Sequence, residues 1–146
     1  MTAVADILRS KRDNTVHRIG PDDSVFDALQ RMADKGIGAL MVMEGDAIVG
    51  IVTERDYARK IALLGRKSSA TLVRDVMTAD VMYVQPAQTS EECMALMTEN
   101  RLRHLPVVEG GKLVGLISIG DLVKDIISEQ KFIIEQLEHY ITGGGR

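Results

Sequence analysis

The sequence predicts a mixed α/β protein made of two copies of one strand–helix–strand–strand–helix unit. Sliding the chain by 65 residues aligns residues 21–61 with residues 86–126 without a gap, and ten aligned positions are then identical. Upstream, residues 4–8 match residues 73–77 with an offset of 69, so the first copy carries four extra residues in the loop at 9–14. Such an internal repeat indicates that one supersecondary unit occurs twice.

The first half of each copy predicts a strand and a helix. Residues 15–19 and 81–85 are short and alternate in polarity, and a proline soon follows each, which is typical of a strand that stops there. A capping box then begins each helix, because a hydroxyl residue is followed three positions later by a carboxylate and by apolar residues at helical spacing. The boxes are Ser24 with Asp27 and Thr89 with Glu92.

The second half of each copy predicts a β-hairpin that leads into another helix. In the first copy, strands at 39–43 and 47–53 are joined by a turn that contains Gly45. In the second copy, strands at 104–108 and 112–118 are joined in the same way. The linker between the copies, at 65–70, is rich in Gly, Lys and Ser.

The final helix is predicted to run from about Ile119 to Ile141, past the end of the repeat, and would be about 35 Å long at roughly 1.5 Å per residue. One of its faces stays apolar along this length, apart from one glutamine. That face packs either against the first helix of the same chain or against a second subunit. We favour the second subunit and expect a homodimer. The residues of the face are Ile126, Ile127, Gln130, Ile133, Ile134, Leu137 and Ile141.

The composition is that of a globular protein with a core of its own. The chain has 146 residues, 45 % of them hydrophobic and 27 % charged, and it can bury a core without metals or disulfides. Eighteen basic and twenty-one acidic residues give a net charge of -3 without a basic cluster, so nucleic acid is not an expected partner. No apolar run approaches the roughly 20 residues that span a bilayer, and the N-terminus lacks a signal-peptide pattern. We expect no membrane partner and a cytoplasmic location.

The sequence offers no constellation that would bind a metal ion. Cys93 is the only cysteine, which excludes an internal disulfide and a thiolate-rich site. It lies in a helical apolar pattern, so we expect a buried, inert thiol, with a redox sensor as the alternative. His17 and His139 have no cysteine or histidine partners at metal-ligand spacing and are interpreted as structural.

One motif occurs at 50–56 and again at 115–121. It consists of a glycine, two apolar residues, a hydroxyl residue, two further residues and an aspartate. Taken alone, either copy is explained as a helix cap, because its hydroxyl and carboxylate are three residues apart. The duplication favours a further role. A hydroxyl and a carboxylate at the start of a helix suit anions and ribose-like polyols.

With the strand at 103–108 and the segment Asp75-Val76-Met77-Thr78, these motifs resemble a tandem pair of CBS domains, the Bateman module, of a stand-alone bacterial type. The resemblance covers roughly residues 4–127. It implies two β-α-β-β-α repeats that pack through their sheets with pseudo-twofold symmetry. It also implies that an adenosine nucleotide, AMP, ATP or NAD(H), binds in clefts between the repeats. The expected domains are 1–67 for repeat one with its lead-in helix, 68–128 for repeat two, and 129–146 for a helix extension and flexible tail.

The resemblance assigns roles to residues of both motifs. Asp56 and Asp121 would accept hydrogen bonds from ribose hydroxyls, and Thr53 and Ser118 would contact ribose or phosphate. A carboxylate offers acceptors only, which suits the paired donors of a ribose diol. The other residues implied are Ile51 and Leu116 at the base, Gly38, Ala39, Val16 and Val81 near the adenine, and Arg55, Arg103 and His104 near phosphate.

The two motifs differ in charge. Arg55 of the first copy stands where the second has Gly120. Conversely, Arg103-His104 of the second copy stands where the first has Gly38-Ala39. We therefore expect two sites with unlike phosphate preferences. Surface arginines exposed to solvent, and a histidine at a strand edge, are the alternatives to phosphate contacts.

Three functions are compared. The leading hypothesis is a regulatory module that senses an adenine nucleotide and acts on a separate partner protein. The second, an enzyme, is not expected, because the sequence shows neither a nucleophile with its base nor a metal cluster. The third is a structural or interaction protein whose clefts are unoccupied.

Overall fold

The computed structural model, which describes residues 2–141, confirms the mixed α/β class and the order of the main elements. The flexible tail predicted at 143–146 lies outside the described residues. The helices are α1 Val4–Ser10, α2 Val25–Lys35, α3 Glu54–Tyr57, α4 Ser90–Asn100 and α5 Ile119–Ile141. The strands are β1 Arg18–Ile19, β2 Ala39–Glu44, β3 Ala47–Thr53, β4 His104–Glu109 and β5 Lys112–Ser118. Shorter helical segments are the π-helical turn Ala58–Ala62 and the 3-10 turns Ser68–Ala70 and Val73–Asp75.

The described residues divide into two units. We call residues 15–83 with 109–114 the repeat-one unit, and residues 2–14, 84–108 and 115–141 the repeat-two unit. The compact units therefore do not coincide with the domains expected at 1–67 and 68–128, because tertiary contacts group residues that are distant along the chain.

In the repeat-one unit, a three-stranded sheet in the order β1-β2-β3 packs with α2. β1 is parallel to β2, and β2 forms an antiparallel hairpin with β3. The predicted helix cap is confirmed, since the Ser24 side chain accepts a hydrogen bond from the Asp27 amide at the start of α2. The buried core has ten members: Ile19, Val25, Ala28, Met32, Leu40, Val42, Val52, Ile61, Val73 and Val76.

The repeat-two unit contains most of the β4-β5 pair, without residues 109–114, together with α1, α4 and the first turns of α5. Thr89 caps α4 by accepting a hydrogen bond from the Glu92 amide, as the sequence predicts. Cys93 is confirmed as a buried core residue. Its neighbours in the core are Val4, Ile7, Val84, Met97, Leu105, Val107, Ile117 and Leu122.

The segment that leads into each repeat packs with the other repeat. Val4 and Ile7 of α1 lie in the core of the repeat-two unit, and the amide of Val4 donates to the Gln88 carbonyl at 2.8 Å. In the same way, Val73 lies in the core of the repeat-one unit, and its amide donates to the Asp23 carbonyl at 2.8 Å. Gln88 and Asp23 are equivalent positions in the repeat. The two lead-in segments therefore make equivalent contacts, each with the other repeat.

The strands predicted at 15–19 and 81–85 are shorter than expected. Only Arg18–Ile19 is a strand in the first copy, and in the second Val84 forms a single parallel bridge with Val107. Val16 and Val81 consequently lie outside strands. Alternating polarity predicts an extended chain but does not determine how far a neighbouring strand runs beside it.

The long helix α5 begins at the predicted residue and continues to Ile141, the last residue that the structure describes. Its first turns are anchored by Leu122, whereas the apolar side chains of its second half are exposed, Leu137 to 56 %. No helix among residues 2–141 is both long enough and apolar enough to cross a bilayer.

Candidate functional site

The first motif joins the end of β3 to the start of α3 through a reciprocal cap. The Asp56 amide donates to Thr53 Oγ1 at 3.2 Å, and the Thr53 amide donates to Asp56 Oδ2 at 2.9 Å. The Thr53 hydroxyl lies 3.2 Å from the same Oδ2. These bonds hold the half-buried carboxylate in one orientation at the start of the helix.

The second motif repeats this geometry between β5 and α5. The Asp121 amide donates to Ser118 Oγ at 3.2 Å, and the Ser118 amide donates to Asp121 Oδ2 at 2.9 Å. The helix-cap interpretation is thus confirmed for both copies. If Asp56 and Asp121 also bind a ligand, they must do so through the carboxylate lone pairs that the cap does not use.

The glycine of each motif makes room for a lead-in segment. A Cβ on Gly50 would lie 2.6 Å from Met77 Sδ and 2.9 Å from the Thr78 carbonyl oxygen. Thr78 is held there because it exchanges two backbone hydrogen bonds with Ile51, of 3.0 and 2.9 Å. A Cβ on Gly115 would lie 2.7 Å from Leu8 Cδ2 of α1. Close packing against the Thr78 backbone therefore requires glycine at position 50, whereas at position 115 only the Leu8 side chain would have to move.

The residue before each hairpin lies beside the start of the following helix. The Glu54 amide donates to the Gly38 carbonyl at 3.1 Å, and Ala39 pairs with Thr53 across the hairpin. In the repeat-two unit the Ile119 amide donates to the Arg103 carbonyl at 2.9 Å. The structure thus brings Gly38 and Ala39 to the first motif and Arg103 to the second, and their contacts with adenine and phosphate stay predictions.

A lysine pairs with the aspartate of each motif, and the sequence analysis did not identify either one. Lys60 Nζ lies 3.3 Å from Asp56 Oδ1 and donates to the Val76 carbonyl at 2.7 Å. Lys11 Nζ lies 3.0 Å from Asp121 Oδ2 and donates to the Leu116 carbonyl at 2.8 Å. Both lysines thus place an ammonium group beside the carboxylate of a motif.

In the repeat-two unit, burial and neighbouring groups shift the pKa values of Asp121 and His104. Burial alone would raise the pKa of Asp121, but hydrogen bonds from Ser118 and Lys11, with the Lys11 charge, outweigh it and lower that pKa below its usual 3.8. Burial lowers the pKa of His104 below 6.5, and Arg103 and Lys11 lower it further against the opposing effect of Asp121. At neutral pH the second motif therefore combines an ionised carboxylate with an uncharged imidazole.

The remaining predicted residues are less closely tied to the motifs. Ile51 and Leu116 lie on the strands that end at the motifs and are partly buried. Among residues 2–141, no hydrogen bond joins Val16 or Val81 to either motif, and the Arg55 side chain forms neither a hydrogen bond nor an ion pair. His17 contributes its carbonyl to the Met41 amide at 3.1 Å.

Comparison with known proteins identifies the family. The family model described as CBS domain matches the chain twice, at residues 4–63 and 73–128. The chain belongs to the CBS domain family. A relative in Arabidopsis thaliana, the mitochondrial CBS domain-containing protein CBSX3, is 39 % identical over 98 % of this chain and 73 % of its own length. A second Arabidopsis relative, CBSCBSPB2, is 34 % identical over 81 % of this chain, which spans only 22 % of that longer protein.

Solved structures agree with this CBS assignment. A protein with CBS domains from Burkholderia ambifaria MC40-6 is 60 % identical, with a TM-score of 0.86, over 88 % of this chain and 96 % of its own. CBSX2, solved in complex with AMP, is 26 % identical, with a TM-score of 0.70, over 88 % of this chain and 98 % of its own. The tandem CBS fold implied by the sequence is therefore confirmed.

The two lysines of this CBS pair differ in whether the sequence alone could have identified them. Lys60 follows Asp56 by four residues, a spacing that favours an ion pair on a helix, so sequence reasoning could have identified it. Lys11 is 110 residues from Asp121 and lies in the four-residue insertion of the first copy. No local pattern connects those two residues.

Proposed function

We propose that this CBS pair is a regulatory module that binds an adenine nucleotide, of the AMP, ATP or NAD(H) type, and acts on a separate partner protein without catalysing a reaction. The observation that carries the proposal is the duplicated pair of hydroxyl and carboxylate at Thr53 and Asp56 and at Ser118 and Asp121. Each carboxylate is held by its cap, so it is oriented before a ribose arrives. The AMP complex of CBSX2 supports the choice of ligand class.

A free carboxylate oxygen makes the second motif the better ribose acceptor. Asp121 Oδ2 takes both the Ser118 amide and Lys11, and among the described residues nothing hydrogen-bonds to Oδ1. At the first motif Asp56 uses Oδ2 for its cap and Oδ1 for Lys60. A ribose at Asp56 must therefore share Oδ1 with the lysine or displace it.

Calorimetry with AMP, ATP and NAD(H), on protein freed of carried-over ligand, tests the proposal. We expect binding of at least one of them, weakened strongly in the Asp121→Ala variant and also in Asp56→Ala. No heat with any of the three would refute nucleotide binding. Circular dichroism of each variant ensures that a lost signal is not lost structure.

The alternative is an interaction protein with unoccupied clefts, which is favoured at the first motif by the engagement of both Asp56 oxygens. Thermal unfolding with and without nucleotide discriminates between the two functions. A ligand at 100 times its dissociation constant adds about 2.7 kcal/mol to the free energy of unfolding. An unchanged melting temperature in millimolar AMP, ATP and NAD(H) would support the alternative.

We also propose that the chain forms a homodimer through α5. The apolar face of the second half of this helix is exposed among the described residues, which argues against packing on the first helix of the same chain. Regularly spaced apolar side chains on one face of an exposed helix are suited to a helix–helix interface. We expect light scattering at micromolar concentration to give the mass of two chains.

A further inference from the structure

The residues around the starts of α3 and α5 differ in charge at two equivalent positions. Gly38 corresponds to Arg103, and Glu54 corresponds to Ile119. In the repeat-one unit the Glu54 carboxylate lies over the glycine, with Oε1 3.0 Å from the point where a Cβ on Gly38 would be. In the repeat-two unit Ile119 cannot supply this carboxylate, and the exposed Arg103 supplies a guanidinium.

The neighbouring charges do not remove this difference. At the first motif Asp56 pairs with Lys60, and the adjacent residues Glu54 and Arg55 add one charge of each sign. At the second motif Asp121 pairs with Lys11, and Arg103 adds a second cation, which like Lys11 lowers the pKa of His104. Asp125 lies one helical turn further along α5 and is not among the groups that shift the pKa of Asp121.

Lys11 has capacity left for a ligand. An ammonium group has three N–H donors, and Lys11 uses two of them, on Asp121 Oδ2 and the Leu116 carbonyl. Among residues 2–141 no acceptor pairs with the third. Beside it, a Cβ on Gly120 would meet only Ser118 Oγ, at 3.6 Å, so no side chain covers the backbone at that position. At the first motif the equivalent position carries the long side chain of Arg55.

We propose that Lys11 and Arg103 make the second motif selective for adenosine di- or triphosphates, whereas Glu54 makes the first motif selective for adenosine or its monophosphate. The proposal rests on the proposed function, because it assumes that ribose binds at Asp56 and Asp121. Phosphates are attached to the same ribose, so each added phosphate extends negative charge near the start of the helix. Cations there favour that charge, and a carboxylate opposes it.

The test measures the dissociation constants of adenosine, AMP and ATP by calorimetry for the wild type, Arg103→Gln, Lys11→Gln and Glu54→Gln. Asp56→Asn and Asp121→Asn isolate one motif at a time and keep an oxygen acceptor for each cap. Lys112→Gln is the matched control, since it removes one exposed cation about 20 Å away at the far end of β5. That distance exceeds the roughly 8 Å screening length at physiological salt.

In Asp56→Asn we expect ATP to bind at least about tenfold more tightly than adenosine, since one charge-assisted hydrogen bond accounts for that factor. Arg103→Gln and Lys11→Gln should each reduce this preference, and Lys112→Gln should not. In Asp121→Asn we expect ATP to bind no better than adenosine, and Glu54→Gln should improve ATP binding. The same order of ligands in both single-motif variants, or a preference unchanged by Arg103→Gln, would overturn the proposal. If calorimetry shows no binding of AMP, ATP or NAD(H) to the wild type, the proposed function itself fails.

Discussion

Replacing Lys11 by methionine should destabilise the fold more than the same change at Lys60. Methionine keeps most of the aliphatic stem and removes the ammonium group, so packing is largely preserved. Each change also removes one hydrogen bond to a backbone carbonyl, at 2.8 Å to Leu116 or 2.7 Å to Val76. The comparison therefore isolates the ion pair with the motif aspartate.

The magnitude follows from distance and exposure. The Lys11 and Asp121 side chains are 25 % and 17 % exposed and lie 3.0 Å apart, so the pair should contribute about 1.5 kcal/mol, the lower end for a hydrogen bond to a charged group. Lys60 is 42 % exposed and lies 3.3 Å from Asp56, so that pair should contribute roughly 0.5 kcal/mol, as surface pairs do. The difference of about 1 kcal/mol corresponds to a melting temperature lower by about 4 °C in a chain of this length.

The assay is equilibrium urea unfolding of both variants and the wild type at one protein concentration, at pH 7 and again below pH 3.8. The folded-state pKa of Asp121 is lowered, so its contribution is present above about pH 3.9, the unfolded value, and is lost as the pH falls through the folded value. The cost of Lys11→Met should shrink accordingly. A cost no larger than that of Lys60→Met at pH 7, or one that persists in acid, would refute the assignment.

Three further outcomes are expected. Gly50→Ala should cost about 1–3 kcal/mol of stability by overpacking, because its Cβ would meet the backbone oxygen of Thr78. Gly115→Ala should cost less, because only the Leu8 side chain must move. Urea unfolding measures both costs, and equal costs would contradict this prediction. Leu137→Glu on the exposed apolar face of α5 should convert a dimer to a monomer in light scattering, whereas Ser128→Glu on the opposite face should not. A dimer that survives Leu137→Glu would exclude this face as the interface. The free energy of unfolding should fall as the pH drops through about 6.5, because the pKa of His104 is lowered in the fold and the unfolded chain takes up the proton first. His104→Gln should flatten this pH profile. A profile unchanged by His104→Gln would refute the role of His104.

Helix caps and hairpins could be predicted because they depend on neighbouring residues. Ser24, Thr53, Thr89 and Ser118 each accept a hydrogen bond from an amide three residues later, so four short patterns identify the starts of four helices. The continuation of α5 through Ile141 was likewise evident from its apolar spacing. The length of β1 was not, because the pairing of Arg18–Ile19 with β2 is set by a strand more than twenty residues away.

The sequence by itself determined that this chain contains two CBS repeats and that Thr53-Asp56 and Ser118-Asp121 begin equivalent helices, since repetition and i to i+3 bonds are visible in the order of residues. Only the tertiary structure decided that each lead-in joins the core of the other repeat, that Lys11 reaches Asp121, and that Glu54 lies over Gly38. Such contacts join residues up to 110 positions apart, and they form because whole elements bury apolar surface together. The charge around each motif is therefore a property of the fold.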